Sequence, residues 1–163
     1  VEVEIPAHPD YEVVYRRTFV EKSRETEVQD AVATGLIFDV DDNPMDIRLP
    51  IDDPSPATED RWMTPIQVEV PLESVALVPG VEGYVGQLVM FVATRDAEGR
   101  QSDVQRREFT IEVPEEDLES AAGRHYTFEV SLLMREGRHR IAVGMLDRVT
   151  RQAAYATGPA SVP

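Results

Sequence analysis

The sequence predicts a mainly β fold: an Ig-like antiparallel β-sandwich with one amphipathic helix at about residues 24–37 and a short helical turn at about 115–122. Three observations lead to this prediction. Apolar and polar residues alternate along most of the chain, turn residues separate the alternating stretches at short intervals, and one stretch has a helical period. Regular short strands joined by turns are typical of sandwiches.

The alternation begins at the N-terminus. In residues 1–5, VEVEI, the side chains of Val1, Val3 and Ile5 share one face of a predicted strand. Two prolines separate this stretch from residues 11–20, which continue as extended chain. A short alternating strand on a flexible connection can pair with its own sheet or with the sheet of a neighbour.

Further strands follow at the spacing of a sandwich. The strand at 84–95 is apolar on both faces, which predicts burial on both sides with the helix over one of them. Glu98-Gly99 and Glu136-Gly137 are the predicted turns of two hairpins. The expected strands lie at residues 66–70, 74–78, 84–95, 103–113, 125–134, 138–147 and 151–158.

The helical stretch at 24–37 follows Ser23, a favourable N-cap residue. We expect its apolar stripe to pack across a sheet or to plug one end of the sandwich. Pro114 and Gly123 bound the second, shorter helical turn. The stripe consists of Val28, Ala31, Val32, Gly35 and Leu36.

These elements divide the chain into three parts. Acidic loops at 39–46 and 52–60 flank a short strand that carries Ile47, Leu49 and Ile51. The parts are N-terminal extended strands at 1–20 with a candidate donor strand at 1–5, a helix with acidic loops packed on the sandwich at 21–65, and the Ig-like β-sandwich at 66–163.

Charge and composition restrict the partners. Acidic residues outnumber basic ones by 31 to 16, so nucleic acid and anionic membranes are poor partners, and no apolar run is long enough for membrane insertion. The chain has no cysteine and begins at Val1. A cleaved signal peptide, a processed precursor and a shortened chain all fit this start, and the first two imply an extracellular or cell-surface location.

The first acidic loop is a weak candidate for a metal site. Asp39, Asp41 and Asn43 fall at the first three ligand positions of a calcium loop, but Pro44 replaces the turn glycine and Pro50 replaces the bidentate glutamate. We expect a solvated turn, with a looser calcium site as the alternative. The candidate ligands of that site are Asp39, Asp41, Asp42 and Asp46.

No residues are assigned to catalysis. His125 and His139 lie roughly 30 Å apart if Glu136-Gly137 turns a hairpin, which is too far for a shared metal. The sequence contains no nucleophile elbow, no phosphate-binding loop and no dinucleotide motif. We therefore expect neither enzyme activity nor a cofactor.

Six stretches within residues 20–155 carry a resemblance to a known family. They are EKSRETEVQDAVATGLIF, DNPMDIRL, VPLESVALVPG, FVATRDAEGRQSDVQ, VPEEDLESAAGRHYTF and LLMREGRHRIAVGMLD. In this order they resemble the C-terminal, Ig-like region of large exported bacterial proteins related to von Willebrand factor A. The resemblance implies a sandwich outside the cytoplasm with no described chemistry. The A domain itself is not part of this sequence, so its function does not carry over.

Two hypotheses for function follow. The first is a non-catalytic structural subunit that assembles with copies of itself into a fibre, with residues 1–5 filling the open sheet edge of a neighbour. The second is a monomeric binding or spacer module of a larger secreted adhesin-type protein. In both, the partner is another protein.

Overall fold

The computed structural model describes residues 21–40, 42–121 and 123–163. The strands predicted within residues 1–20, with Val1, Val3 and Ile5, lie outside the described residues. Two 3₁₀ turns, at Leu72–Ser74 and Glu115–Asp117, accompany the main elements. These elements are α1 (Arg24–Gly35), β1 (Ser55–Thr58), β2 (Arg61–Pro71), β3 (Val78–Pro79), β4 (Tyr84–Asp96), β5 (Gln105–Val113), α2 (Leu118–Ala121), β6 (His125–Met134), β7 (Gly137–Asp147) and β8 (Ala153–Val162).

The strands form two antiparallel sheets, and the predicted mainly β sandwich is confirmed. The three-stranded sheet has the order β1-β2-β6. In the five-stranded sheet, β4 pairs with β5 on one edge and with β7 on the other, and β8 follows β7. Tyr84 pairs with both Pro79 and Val113, so β3 lies beside the start of β4 on the edge opposite β5.

Two apolar cores lie on the two faces of the five-stranded sheet. The first fills the space between the sheets, where residues such as Met90 of β4 meet residues such as Val68 of β2. The second joins the outer face of the five-stranded sheet to α1, where Phe91 of β4 meets Val32. Strand β4 is therefore buried on both faces with the helix over one of them, as its composition predicts.

Helix α1 begins at Arg24, as predicted, and ends at Gly35, two residues before the predicted end. The Ser23 hydroxyl accepts a hydrogen bond from Thr26 N at 3.2 Å, which satisfies one free N–H of the first turn. At the other end, the carbonyl of Gly35 accepts a bond from Arg140 Nε at 2.8 Å. The predicted apolar stripe faces the sheet, since Val28, Val32 and Leu36 are buried there.

The predicted strand at 74–78 is wrong. The chain turns through a 3₁₀ helix at Leu72–Ser74, and the pairing strand is limited to Val78–Pro79. The Ala76 N–H donates at 2.8 Å to the carboxylate of Asp147. Because a side chain takes this donor, the segment does not continue a regular ladder.

The prediction that residues 52–60 form a loop is also wrong. Ser55–Thr58 pairs with β2, and Pro56 is tolerated because β1 is an edge strand. Strand β2 is longer than the predicted strand at 66–70. It crosses the predicted boundary between the part with the helix and acidic loops, which ends at residue 65, and the sandwich, which begins at residue 66. Residues 55–65 thus belong to the sandwich.

One of the two predicted hairpins forms. Strands β4 and β5 pair across the Glu98-Gly99 turn, where Gly99 has a φ of +86°. Strands β6 and β7 are joined at Gly137 but do not pair, because β6 pairs with β2 and β7 pairs with β4 and β8. This link carries the chain from one sheet to the other.

Candidate functional site

The outer edge of β6 presents backbone groups that pair with no described residue. On β2, Glu69 exchanges two hydrogen bonds of 3.0 Å with Arg48, so the neighbouring even-numbered residues of β2 face β6. Antiparallel pairing then turns the N–H and C=O groups of Thr127, Glu129 and Ser131 to the outside. Such a row can accept another strand.

The outer edge of β5 has the same geometry but more charge. Ser102 N donates to Thr94 O at 2.9 Å, so the even-numbered residues of β4 face the β5 side. The outward backbone groups of β5 are therefore those of residues such as Arg106, Glu108 and Thr110. Charged side chains on an edge strand oppose the addition of a further strand.

Aromatic and aliphatic side chains lie beside these two edges. The rings of Phe109 on β5 and Phe128 on β6 are 4.2 Å apart between centroids, so the two edge strands lie against each other across the sheets. Tyr126 contacts Phe128 at 4.8 Å and is 37% exposed, and Leu133 is 54% exposed. We call the edges of β5 and β6 with these residues the open side.

The opposite side of the sandwich is covered by the chain itself. Asp52 N donates to Pro65 O of β2 at 3.0 Å, and Tyr155 N of β8 donates to Asp42 O at 2.9 Å. Leu49 packs against the core between these bonds. The segment after α1 thus spans from one sheet to the other and covers this side of the sandwich.

The acidic loop does not assemble as a metal site in the part of the chain that the structure describes. The Asp39 carboxylate binds Arg140, and the Asp46 carboxylate binds Arg48 at 3.1 Å. Asn43 is occupied by two hydrogen bonds of 2.9 Å with Ile47. Across residues 21–40, 42–121 and 123–163, no three acidic or histidine side chains are grouped to hold a metal ion. Asp41 lies outside the described residues.

The two histidines of the sandwich lie in different sheets. His125 begins β6 opposite Pro71, and His139 on β7 pairs with Asp96 and Ala160. The expected hairpin between them does not form. The structure brings the two imidazoles to different layers.

An ion-pair network joins the start of α1 to the five-stranded sheet. The Glu25 carboxylate accepts from Arg106 Nε at 2.8 Å and from Arg148 Nη2 at 3.3 Å, and Glu108 binds the same two arginines. Hydrogen bonds from Arg106 lower the pKa of Glu25 and of Glu108. All four side chains are partly exposed. The network is therefore a set of surface ion pairs that hold the start of α1 against the sheet.

Asp147 is a buried carboxylate that the sequence did not single out. Its Oδ1 accepts from Val149 N at 2.7 Å and Thr150 N at 3.0 Å, and its Oδ2 accepts from Ala76 N. Three backbone donors satisfy the carboxylate, so it holds the turn after β7 against the segment before β3. An aspartate directly after an apolar strand, ahead of a turn, is the sequence signal for this role.

Within the described residues, no helix has the length and apolar character needed to cross a membrane. No protein-family model matches the chain. No curated protein matches it either.

Solved structures resemble part of the chain. A β-glucuronidase from Bacteroides uniformis matches 70% of this chain and 13% of its own, at 12% identity and a TM-score of 0.48. A Bacteroides uniformis β-glucuronidase 2 bound to a cyclophellitol aziridine matches the same shares at 13% identity and a TM-score of 0.46. The chain thus spans about an eighth of these glycosidase chains.

Proposed function

We propose that the chain is a non-catalytic, extracellular interaction module that assembles with copies of itself by strand addition on its open side. The observation that supports this most is the outer edge of β6, which pairs with no strand of the described residues and is bordered by the exposed Leu133 and Tyr126. The donor in this proposal is residues 1–5, VEVEI, of a neighbouring copy. The extracellular location rests on the resemblance to exported bacterial proteins.

Charge favours β6 over β5 as the acceptor. Between Thr127 and Leu133 the strand β6 carries one charged side chain, Glu129. Strand β5 carries Arg106, Arg107 and Glu108 in succession. Main-chain hydrogen bonds with β6 supply affinity, and alternate apolar side chains of the donor pack beside the aromatic rings. A head-to-tail contact of this kind does not close on itself and leads to a filament.

The monomeric spacer is the second candidate, because the charged edge of β5 is a known protection against association. Arg106 and Glu108 form an ion pair on this edge, and charged side chains on an edge strand oppose pairing with another chain. A spacer in a larger secreted protein needs no free acceptor edge.

Strand donation can be tested with a proline on each open edge. Ser131→Pro removes an N–H that faces outward from β6, so the fold is retained while strand addition is blocked. Thr110→Pro makes the same change on β5 and is the matched control. Size-exclusion chromatography and electron microscopy measure assembly of the full chain, of both variants and of a chain without residues 1–9.

We expect concentration-dependent polymers from the full chain and from Thr110→Pro, and monomers from Ser131→Pro and the shortened chain. Far-UV circular dichroism of each variant verifies the fold. Polymers that persist without residues 1–9 would exclude strand donation. A full chain that stays monomeric at every concentration would support the spacer.

A further inference from the structure

A concave surface lies on the outer face of the five-stranded sheet, where α1 ends. It encloses about 710 Å³ between the last turn of the helix, the end of β4, the start of β7 and the end of β8. Ala142 is the last residue towards the start of β7 that belongs to the core under α1, and Arg138 and His139 before it line the concavity. We call this surface the basic concavity and define it by Ile37, Arg95, Arg138 and Arg140.

Positive charge collects in the basic concavity. Within the described residues, neither Arg95 nor Arg138 has a carboxylate within 4.0 Å, whereas Asp96, which also lines the concavity, is bound to Arg100 at 2.6 Å. The Nε of Arg95 is buried and has no hydrogen-bond partner among the described residues. The positive charge of Arg95 therefore has no acceptor among the described residues, and a carboxylate of a ligand could pair with its guanidinium.

Arg140 connects the segments that form the concavity. Its guanidinium donates to Gly35 O at 2.8 Å and to Thr157 Oγ1 at 3.2 Å, and it also binds Asp39. These bonds hold the helix end, the sheet and the chain after the helix in one arrangement. The unpaired guanidiniums are therefore carried on a surface that is already organised before a ligand binds.

An apolar rim adjoins the charge. Ile37 is 52% exposed and Phe38 is 64% exposed, although Leu36 directly before them is buried. Their backbone N–H groups both bond to Thr34 O, at 2.9 and 3.0 Å, which fixes the turn that presents them. Ile37 lines the concavity, and the carbonyl of Phe38 accepts a hydrogen bond from Arg140 at 3.3 Å, so both residues adjoin the charged groups.

We propose that the basic concavity binds an acidic peptide segment that carries an apolar side chain. Carboxylates of the peptide pair with Arg95 and Arg138, and its apolar side chain packs on Phe38. The net charge of −15 opposes a long polyanion, which would extend beyond the concavity over acidic surface. At physiological salt the screening length is about 8 Å, so more distant acidic residues repel a short peptide only weakly. Its electrostatic binding energy is then set mainly by the nearby arginines.

The test uses the full chain and a fluorescein-labelled hexapeptide of four glutamates and two phenylalanines, with fluorescence anisotropy at physiological salt. Arg138→Glu removes an exposed guanidinium that lines the concavity and has no ion pair among the described residues. Arg107→Glu is the matched control, because Arg107 is also exposed and without an ion pair in the described chain, but lies on β5. Phe38→Ser is compared with Val81→Ser, which changes a fully exposed residue of the loop before β4.

We expect Arg138→Glu to weaken binding about tenfold, the scale of one charge-assisted hydrogen bond, with Arg107→Glu within about twofold of the unaltered chain. Phe38→Ser is expected to weaken binding and Val81→Ser to leave it unchanged. Equal losses at Arg138 and Arg107, or equal binding of a peptide with lysine in place of glutamate, would overturn the proposal. Tighter binding of a short oligothymidylate would assign the surface to nucleic acid instead.

Discussion

Gly144 is the residue that allows α1 to lie directly on the five-stranded sheet. A Cβ atom at this position would come within 2.7 Å of Val32 Cγ2 and 2.9 Å of Val28 Cγ1. Both contacts are shorter than packed carbon atoms allow, and both valines are buried in a close-packed core. The absence of a side chain at one β7 position therefore sets the distance between helix and sheet.

Substitution of glycine by alanine on the two sides of this interface tests the contact. Gly144→Ala should lower the free energy of unfolding by about 1–3 kcal/mol, because the added methyl group pushes the helix outward. Gly35→Ala is the control, since a Cβ there meets atoms at 3.5–3.6 Å and alanine favours a helix. Urea unfolding measures both, and equal effects at the two positions would contradict the packing described.

Single-residue roles divide into those that the sequence could and could not predict. The capping role of Ser23 and the buried stripe of Val28 and Val32 were predicted, because caps and helical period are local properties of the chain. The close approach at Gly144 was not, since a glycine inside a strand does not reveal what packs over it. The bonds of Asp147 to Ala76 also join residues that only the fold brings together.

At the scale of elements, helix α1 is held at its start by the ion pairs of Glu25. Arg106 and Arg148 contact this carboxylate from β5 and from the turn after β7, and Glu108 shares both arginines. The folded state lowers the pKa of Glu25, mainly through the hydrogen bond from Arg106. A carboxyl group whose folded pKa is depressed stabilises the fold above its unfolded pKa and loses that contribution as the pH falls through the folded value.

Glu25→Gln should therefore reduce stability at neutral pH by about 0.2–1 kcal/mol, the range for exposed ion pairs. The difference from the unaltered chain should shrink as the pH falls below about 4.3, the ordinary pKa of glutamate, and also in 1 M salt. Glu112→Gln on β5 is the control, because Glu112 has no ion pair in the described residues. Thermal melts at pH 7 and pH 3 measure the effect, and a difference independent of pH would contradict the assignment.

The strands were easier to locate than to pair. The bounds predicted from the sequence, 84–95 and 125–134, agree with those of β4 and β6 to within two residues. This is because the burial of one or both faces of a strand follows from the local order of apolar and polar residues. Glu136-Gly137 looked like a hairpin turn, yet β6 already pairs with β2 along its whole length. Turn residues show where the chain reverses and do not show which sheet the next strand enters.

At the scale of the whole molecule, the two apolar cores share one sheet. Leu88 and Met90 of β4 face the core between the sheets, and Val89 and Phe91 of the same strand face α1. The open side, where we propose β6 as the acceptor, depends on this layering, and the sequence predicted only the candidate donor strand at residues 1–5. An edge becomes visible only when the order of strands is known, which explains why the acceptor was not predicted.

A shared central sheet predicts that the helix layer and the far sheet unfold together. Val32→Ala removes buried methyl groups from the helix core and should cost on the order of 2 kcal/mol. Trp62, the one tryptophan of the chain, lies on β2 in the three-stranded sheet and reports from the opposite layer. Its fluorescence midpoint in urea should fall by the same amount as the circular dichroism midpoint, since both signals follow one cooperative transition. Gln29→Ala, on the exposed face of α1, should change the free energy of unfolding obtained from either signal by no more than about 0.5 kcal/mol. If Val32→Ala moves the dichroism midpoint while the Trp62 midpoint stays in place, the helix and the far sheet are separate folding units.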